Sequence, residues 1–496
     1  MNSVGELIAF ILYFLLMLGI GMLFFSKSKG SGEKEYFLGG RQMGPWVTAL
    51  SAQASDMSGW LLMGFPGSIL AAGFGKVWIA IGLALGSYLN WLLIAKRLRR
   101  FSKAADDAIT IPQYLNNRFR ASGLGLRVIS ALVFFVCFTV YVASGFKAGG
   151  VLFSSVLGID QGLAMAIFGL IIIIYTFTGG YKAVCWTDFF QALLMLVALV
   201  LVPTILFFGN DLAASLPAIT GADPNYFNLL PSGKFDYESI SSILSGLAWG
   251  LGYCGMPHIL VRFMSIKSSK LIKTSRRIAT TWVVITLAAS VAIGVLGRVI
   301  MPELVEAGSE EVFIRTVRML FPAFVSGILL SAILAASMST ADSQLLVASS
   351  AFTSDIYKPI FRKNASDKEM LWMARAVVVV ISVIAFFIAA NPNSGSIMNL
   401  VENAWAGFGA AFGPVIVLSL YWKRFTYAGA ISGIVCGGAT VVLWIMYLSQ
   451  STGIYELLPG FVVGLAACII GSLVSKKPSA EVEALYNTAL DTSIDD

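Results

Sequence analysis

Of the 496 residues, 57% are hydrophobic and only 12% are charged, and the mean hydropathy is +0.81. So large an apolar fraction excludes a soluble globular protein. The formal net charge of +7 alone would allow a nucleic-acid partner, and the placement of the basic residues, taken up below, decides against one.

Apolar runs of roughly 20 residues, the length that crosses hydrocarbon, recur along the whole chain. They lie near residues 5–25, 45–71, 76–95, 126–150, 162–181, 188–209, 239–261, 277–300, 322–346, 371–390, 397–421, 427–448 and 458–474. An all-α integral membrane fold of about 13 transmembrane helices is therefore expected. The first run lacks a basic leader, carries Glu6 and is followed by lysines, so it reads as a retained anchor with its N-terminus outside.

The second run is interrupted. Ser51-Ala-Gln-Ala-Ser-Asp-Met-Ser-Gly-Trp60 is polar and weak in helix formers. In hydrocarbon a backbone can lose its helical bonds only where it lines a protein-enclosed site. The seventh run is interrupted too: Gly246, Gly250, Gly252 and Gly255 precede Pro257, which lacks a donor. Glycine in a membrane helix also serves close packing, but interruptions that open spans two and seven fall at matching places in two five-span units. An odd number of spans per unit makes the units inverted, the arrangement of many ion-coupled transporters.

The chain therefore divides into 1–44, a first helix and internal loop; 45–209, a first five-helix repeat; 239–421, a second, inverted repeat; 422–475, two further helices; and 476–496, an internal tail. The tail reads as solvated, and the external loop from Gly209 to Ser239, with Pro217, Pro224 and Pro231, is too short for a core of its own.

The ninth run carries a third polar cluster, Ser331 to Ser343. Hard cations take oxygen ligands. Ser339 and Thr340, beside a span whose Ala54 and Met57 carbonyls are freed by unwinding, would supply them; alternatively, the hydroxyls bond back to carbonyls one turn earlier.

Basic residues alternate by loop. Internal loops hold Lys27, Lys29, Lys34 and Arg41, then Lys96 to Arg127, Lys182, Arg262 to Arg277, Lys358 to Arg375, and Lys423, Arg424, Lys476 and Lys477, about 28 of the 34 basic residues. The excess charge is an orientation signal, with N-terminus outside and C-terminus cytoplasmic. The five cysteines show no metal-type spacing and read as packing residues. No Ser/His pair, metal cluster or phosphate loop supports an enzyme, and no charged ring supports a channel. No obligatory protein partner is evident.

The chain resembles the sodium/solute symporter family, and within it the proline branch, over nearly its whole length. The likeness is carried by Tyr36-Phe-Leu-Gly-Gly-Arg41, Ala52-Gln-Ala-Ser-Asp-Met-Ser-Gly-Trp60, Gly179-Gly-Tyr-Lys-Ala-Val-Cys-Trp-Thr-Asp188, Trp249-Gly-Leu-Gly-Tyr-Cys-Gly-Met-Pro-His258, Gly327 to Thr340 and Ala404-Trp-Ala-Gly-Phe-Gly-Ala-Ala-Phe-Gly-Pro414. The resemblance implies sodium-coupled uptake of L-proline across the plasma membrane of a bacterium. It implies sodium held by the carbonyls of Ala54, Met57 and Ala336 and the hydroxyls of Ser339 and Thr340. It implies solute contacts at Ser55, Gly59, Trp60, Tyr141, Trp249, Tyr253 and Pro257, and coupling roles for Asp56 and Ser58. Other small solutes of the family, such as another amino acid, a monocarboxylate, sialic acid or a sugar, are the alternative.

Two aspartates have competing readings. Asp188 is a helix cap at the start of span six or a participant in sodium release; Asp56 caps the second half of span two or is linked to the cation. Asp342 adds a carboxylate where the proline branch that the chain resembles tends to be uncharged. With Ser343 and Asp188 it forms an additional cation site, or it is protonated and silent. His258 reads as a packing or gating residue rather than a proton relay.

Overall fold

The computed structural model describes residues 3–27, 33–209, 217, 219 and 222–491. Expectations placed on Lys29, on 210–216, 218 and 220–221 of the external loop and on 492–496 of the tail lie outside them. Helix α1 (Ser3–Lys27) and the short α2 (Glu33–Leu38) precede α3 (Pro45–Asp56), whose proline sits in the first turn, where a missing N–H costs nothing. Helix α3 stops at Met57, with φ −83° and ψ 80°. The chain resumes as a π turn, Trp60–Gly64, and α4 (Phe65–Ala72). Next, α5 (Val77–Leu89) passes through a second π turn, Asn90–Ala95, into α6 (Lys96–Ala104), followed by α7 (Ile111–Arg118), α8 (Gly125–Leu157), α9 (Gln161–Thr178) and α10 (Tyr181–Gly209).

The second half repeats the device. Helix α11 (Tyr237–Gly252) gives way to a 3-10 turn, Tyr253–Gly255, and an extended Met256 before α12 (Pro257–Ser265). Then come α13 (Ile272–Ile300), α14 (Val312–Leu320), α15 (Ala323–Phe352), α16 (Asp367–Ala390), α17 (Ile397–Tyr421), α18 (Tyr427–Tyr447), α19 (Leu457–Val474) and α20 (Ala480–Leu490). Both interruptions read from the sequence are present as breaks in helical bonding.

Among the described residues, ten helical stretches are long and apolar enough to cross a membrane, against the thirteen expected. The difference has three sources. The two halves of broken spans two and seven are each short, α9 falls in the shorter class, and the second half of span two is counted together with span three, because only the 3-10 turn Gly73–Lys76, where Gly73 has φ 72°, separates α4 from α5. Burial ranks the helices: 78% of the most apolar window of α15 and of α17 is buried, against 28% for α1 and α19. Span nine, with its serines, is thus a central column, and the first and last spans pack at the rim.

Spans three and seven lie in backbone contact. A Cβ on Gly86 would fall 2.3 Å from Gly250 Cα, and one on Gly82 would fall 2.4 Å from the Gly246 carbonyl. Residue 82 meets 246 and residue 86 meets 250, so the two helices run in parallel, locked by glycines that serve close approach.

The end of the molecule that bears the basic loops is tied by charge pairs. Glu33 pairs with Lys358 at 2.6 Å, Asp355 with Arg127 at 2.6 Å, and Asp107 with both Lys34 and Arg41. Two expectations are corrected here. Arg262, read as a loop charge, is inside α12 and fully buried, because Ile259-Leu-Val and Phe263-Met on either side carry the helix into the protein. The tail is docked: Val482, Leu485, Tyr486 and Ala489 form a stripe at helical spacing, Tyr486 lies edge-on to Phe101 at 5.3 Å, and Arg100 donates to the Leu490 carbonyl at 3.0 Å.

Candidate functional site at the two helix breaks

Unwinding at Met57 leaves carbonyls at the end of α3 without helical donors, and side chains of neighbouring spans supply them. Ser339 Oγ donates to the Ala54 carbonyl at 2.7 Å and Thr340 Oγ1 to the same oxygen at 3.2 Å. Ser339 also reaches its own Ala336 carbonyl at 3.2 Å, so back-bonding within span nine and bonding across to the break are both present. Ala54, Ala336, Ser339 and Thr340 therefore converge in one oxygen-rich, wholly buried place. Met57 marks the break itself.

Asp56 is the second focus. The Tyr253 hydroxyl donates to its Oδ2 at 2.6 Å, joining the break of span seven to the break of span two. Its carbonyl receives the Tyr141 hydroxyl at 3.1 Å and Trp60 Nε1 at 3.4 Å. The π turn after Asp56 has no side-chain cap, so the carboxylate is taken up by Tyr253 rather than by the second half-helix. Ser58 is buried beside the Tyr141 hydroxyl. Ser55 bonds back to the Ala52 carbonyl at 3.1 Å. At Gly59 a Cβ would strike Ala148 at 2.7 Å, so this glycine lets span two close on span four. Pro257 starts α12 where its missing donor is harmless.

An aromatic wall encloses this region. Trp249 lies 6.4 Å from Trp60 and stacks on Tyr455 at 5.2 Å, and Trp405 donates from Nε1 to the Trp249 carbonyl at 2.8 Å. Trp405 and Tyr455 are missing from the sequence expectations; Trp405 comes from span eleven and Tyr455 from the connection that leads into α19, and neither segment's sequence gives a sign of proximity to the breaks.

A third cluster sits one turn further along span nine. Asp188 Oδ2 meets Arg262 at 3.1 Å and accepts from Ser51 Oγ at 2.7 Å. Arg262 in turn reaches Ser343 Oγ at 2.5 Å, Ser51 Oγ at 3.1 Å and the His258 carbonyl at 2.8 Å. Four spans meet in this network, and all its side chains are buried. Helix α10 begins at Tyr181, two turns before Asp188, which corrects the cap reading: this aspartate is an interior ion-pair partner. The His258 ring packs edge-on to Phe138 and Tyr141, in keeping with a packing role. Asp342 is fully buried beside the backbone N–H and hydroxyl of Ser343, and among the described residues neither of its carboxylate oxygens has a partner at full hydrogen-bond geometry.

Broken central helices, converging oxygens and an aromatic enclosure define an ion-coupled secondary transporter rather than a channel or an enzyme. The family model for the sodium:solute symporter family matches residues 36–437, and the chain belongs to that family. It is 46% identical over 488 residues to the osmoregulated proline transporter OpuE of Bacillus subtilis (strain 168), covering 98% of each chain. It is 43% identical over 490 residues to the sodium/proline symporter of Staphylococcus aureus (strain JH9), covering 97% of this chain and 94% of the other. The structure of a Na+-coupled sialic acid symporter in a substrate-bound outward-open state superposes with a TM-score of 0.79 at 21% identity, over 96% of this chain and 99% of that one. That likeness extends to the whole arrangement of helices.

Proposed function

We propose that this protein carries L-proline into a bacterial cell together with sodium, by alternating access. The observation that carries this reading is the convergence of Ser339 and Thr340 on the Ala54 carbonyl beside the aromatic enclosure around Asp56. Curated relatives above 40% identity over nearly the full chain, named as proline transporters, support the solute.

In this reading sodium is held by Ala54, Met57, Ala336, Ser339 and Thr340, replacing the two hydroxyl protons that point at the Ala54 oxygen. Binding draws span two onto span nine. The adjoining pocket of Ser55, Gly59, Trp60, Tyr141, Trp249, Tyr253 and Pro257 is thereby ordered, so each ligand raises the other's affinity. The aromatic rings face the apolar pyrrolidine ring and its ammonium. Asp56 and Ser58 couple the two sites, and the repeats 45–209 and 239–421 rock about them. The basic face is cytoplasmic, with the N-terminus outside and the C-terminus inside.

A second cation position is formed by Asp342, Ser343 and Asp188. It is supported by the burial of the Asp342 carboxylate with only Ser343 beside it and no well-formed hydrogen bond among the described residues, an arrangement that costs free energy unless a cation is held there. A sodium Hill coefficient near one, unchanged in Asp342→Asn, would count against it.

The test is uptake of labelled L-proline into proteoliposomes with and without an inward sodium gradient. Sodium-dependent uptake that is lost in the Ser339→Ala/Thr340→Ala double variant supports solute and ion site together. Wild-type protein that ignores proline yet is stabilised by sodium keeps the ion site and replaces the solute with another of the family's small solutes.

A further inference from the structure

Span three carries a polar insertion that this transport reading leaves unused. In steps of four along α5, Gly82 meets Gly246 and Gly86 meets Gly250. The next step is Asn90, which this parallel register sets opposite the 253–255 turn where span seven loses its α-helical bonding. At Asn90 span three itself changes to a π turn, Asn90–Ala95, a distortion frequent at functional positions. Asn90 is 1% exposed, and neither its Oδ1 nor its Nδ2 has a hydrogen-bond partner among the described residues. One turn earlier Ser87, also 1% exposed, neighbours the Tyr253 hydroxyl that donates to Asp56. A buried carboxamide with both ends unmet is costly, so a fold that retains one needs a compensating use for it.

We propose that Asn90 is a solute-positioning residue: with Ser87 it holds the charged end of the bound amino acid beside Tyr253, its Nδ2–H donating to the carboxylate and its Oδ1 accepting from the ammonium. A carboxamide offers donor and acceptor together without net charge, which suits a zwitterion at membrane depth. The assignment rests on the amino-acid reading given above. It explains why the π turn begins at residue 90: the extra residue in that turn displaces the side chains after Ser87 relative to an uninterrupted helix.

The test is Asn90→Leu, which replaces both polar atoms by apolar ones of similar shape. Purified full-length protein is compared with wild type for proline binding in saturating sodium, for sodium affinity without proline, and for thermal unfolding without either. The expected result is a proline Kd raised at least about tenfold, discrimination between proline and prolinamide reduced, sodium affinity unchanged, and unfolding temperature unchanged or higher. An unchanged proline Kd overturns the assignment. So does a parallel fall in sodium affinity and unfolding temperature, which would make Asn90 a prop of the span-seven turn. If the leucine variant does not fold, Ser87→Ala carries the same comparison with the same two overturning results. Wild-type protein that binds no proline in sodium defeats the solute reading, and this assignment with it, before any variant is compared.

Discussion

Replacing Arg262 by methionine isolates what the inner network contributes. The guanidinium is wholly buried and serves Asp188, Ser51, Ser343 and the His258 carbonyl at 2.5–3.1 Å. Methionine keeps the apolar stem and removes the charge, leaving Asp188 buried with one oxygen, Oδ1, already without a partner. Breaking a buried pair by removing one member costs about 3–5 kcal/mol, whereas replacing both members by apolar groups is often neutral or stabilising. The single variant Arg262→Met is therefore expected to lose about 3–5 kcal/mol, and Arg262→Met/Asp188→Leu to regain most of it. Reversible unfolding of the purified protein in mixed detergent, followed by helical circular dichroism, measures both. A loss below about 1 kcal/mol in the single variant, or a double variant no more stable than the single, would refute the reasoning.

Three further outcomes follow from the geometry. Tyr253→Phe removes the one hydrogen bond that the Asp56 carboxylate makes among the described residues; losing a bond to a charged group costs about 1.5–3 kcal/mol, so sodium half-saturation for proline uptake is expected to rise roughly 10- to 100-fold. Gly86→Val pushes a Cβ to 2.3 Å from Gly250 Cα, where backbone cannot yield; a loss of about 3 kcal/mol is expected by the same unfolding assay, and Gly19→Val in α1, where a Cβ meets nothing within 4 Å, serves as the control. At Asp107, burial alone would raise the carboxyl's pKa, but Lys34 and Arg41 outweigh it and hold it below the ordinary value. A depressed folded-state pKa gives stability that is complete above the unfolded value of about 3.9 and is lost as pH falls through the folded one. Asp107→Asn should therefore flatten the acid limb of unfolding temperature against pH; an unchanged limb assigns that limb to other groups.

Much of the fold was legible because broken membrane helices need glycine, serine and proline, and these stand out against apolar sequence. Both breaks, and the meeting of Ser339 and Thr340 with Ala54, were readable on those grounds. Arg262 was not, because an arginine near the end of an apolar run looks the same whether it leaves the membrane or turns inward to a carboxylate. The apolar residues after it, Phe263 and Met264, were the available signal. Asp188 was misjudged for a related reason: a Thr-Asp pair resembles a cap, and only the helix start at Tyr181 shows it to be internal. Trp405 and Tyr455 join the enclosure through contacts between segments far apart in the chain, which no local pattern encodes. The tail helix had the right periodicity, but its docking depended on a bed made by residues around Phe101 and Arg118.

That bed and its cover are made at very different moments. Phe101 and Arg118 belong to the loop between spans three and four, while Tyr486 and Leu490 reach them across 390 positions of sequence in the Arg100 bond. At about 5–20 residues per second, the ribosome needs roughly 20–80 s to supply the missing piece. By the end of that interval every span has been made, and the surface around Phe101 and Arg118 is still without its cover. The last two turns of α20 thus close, late, a surface laid down near the beginning of the chain.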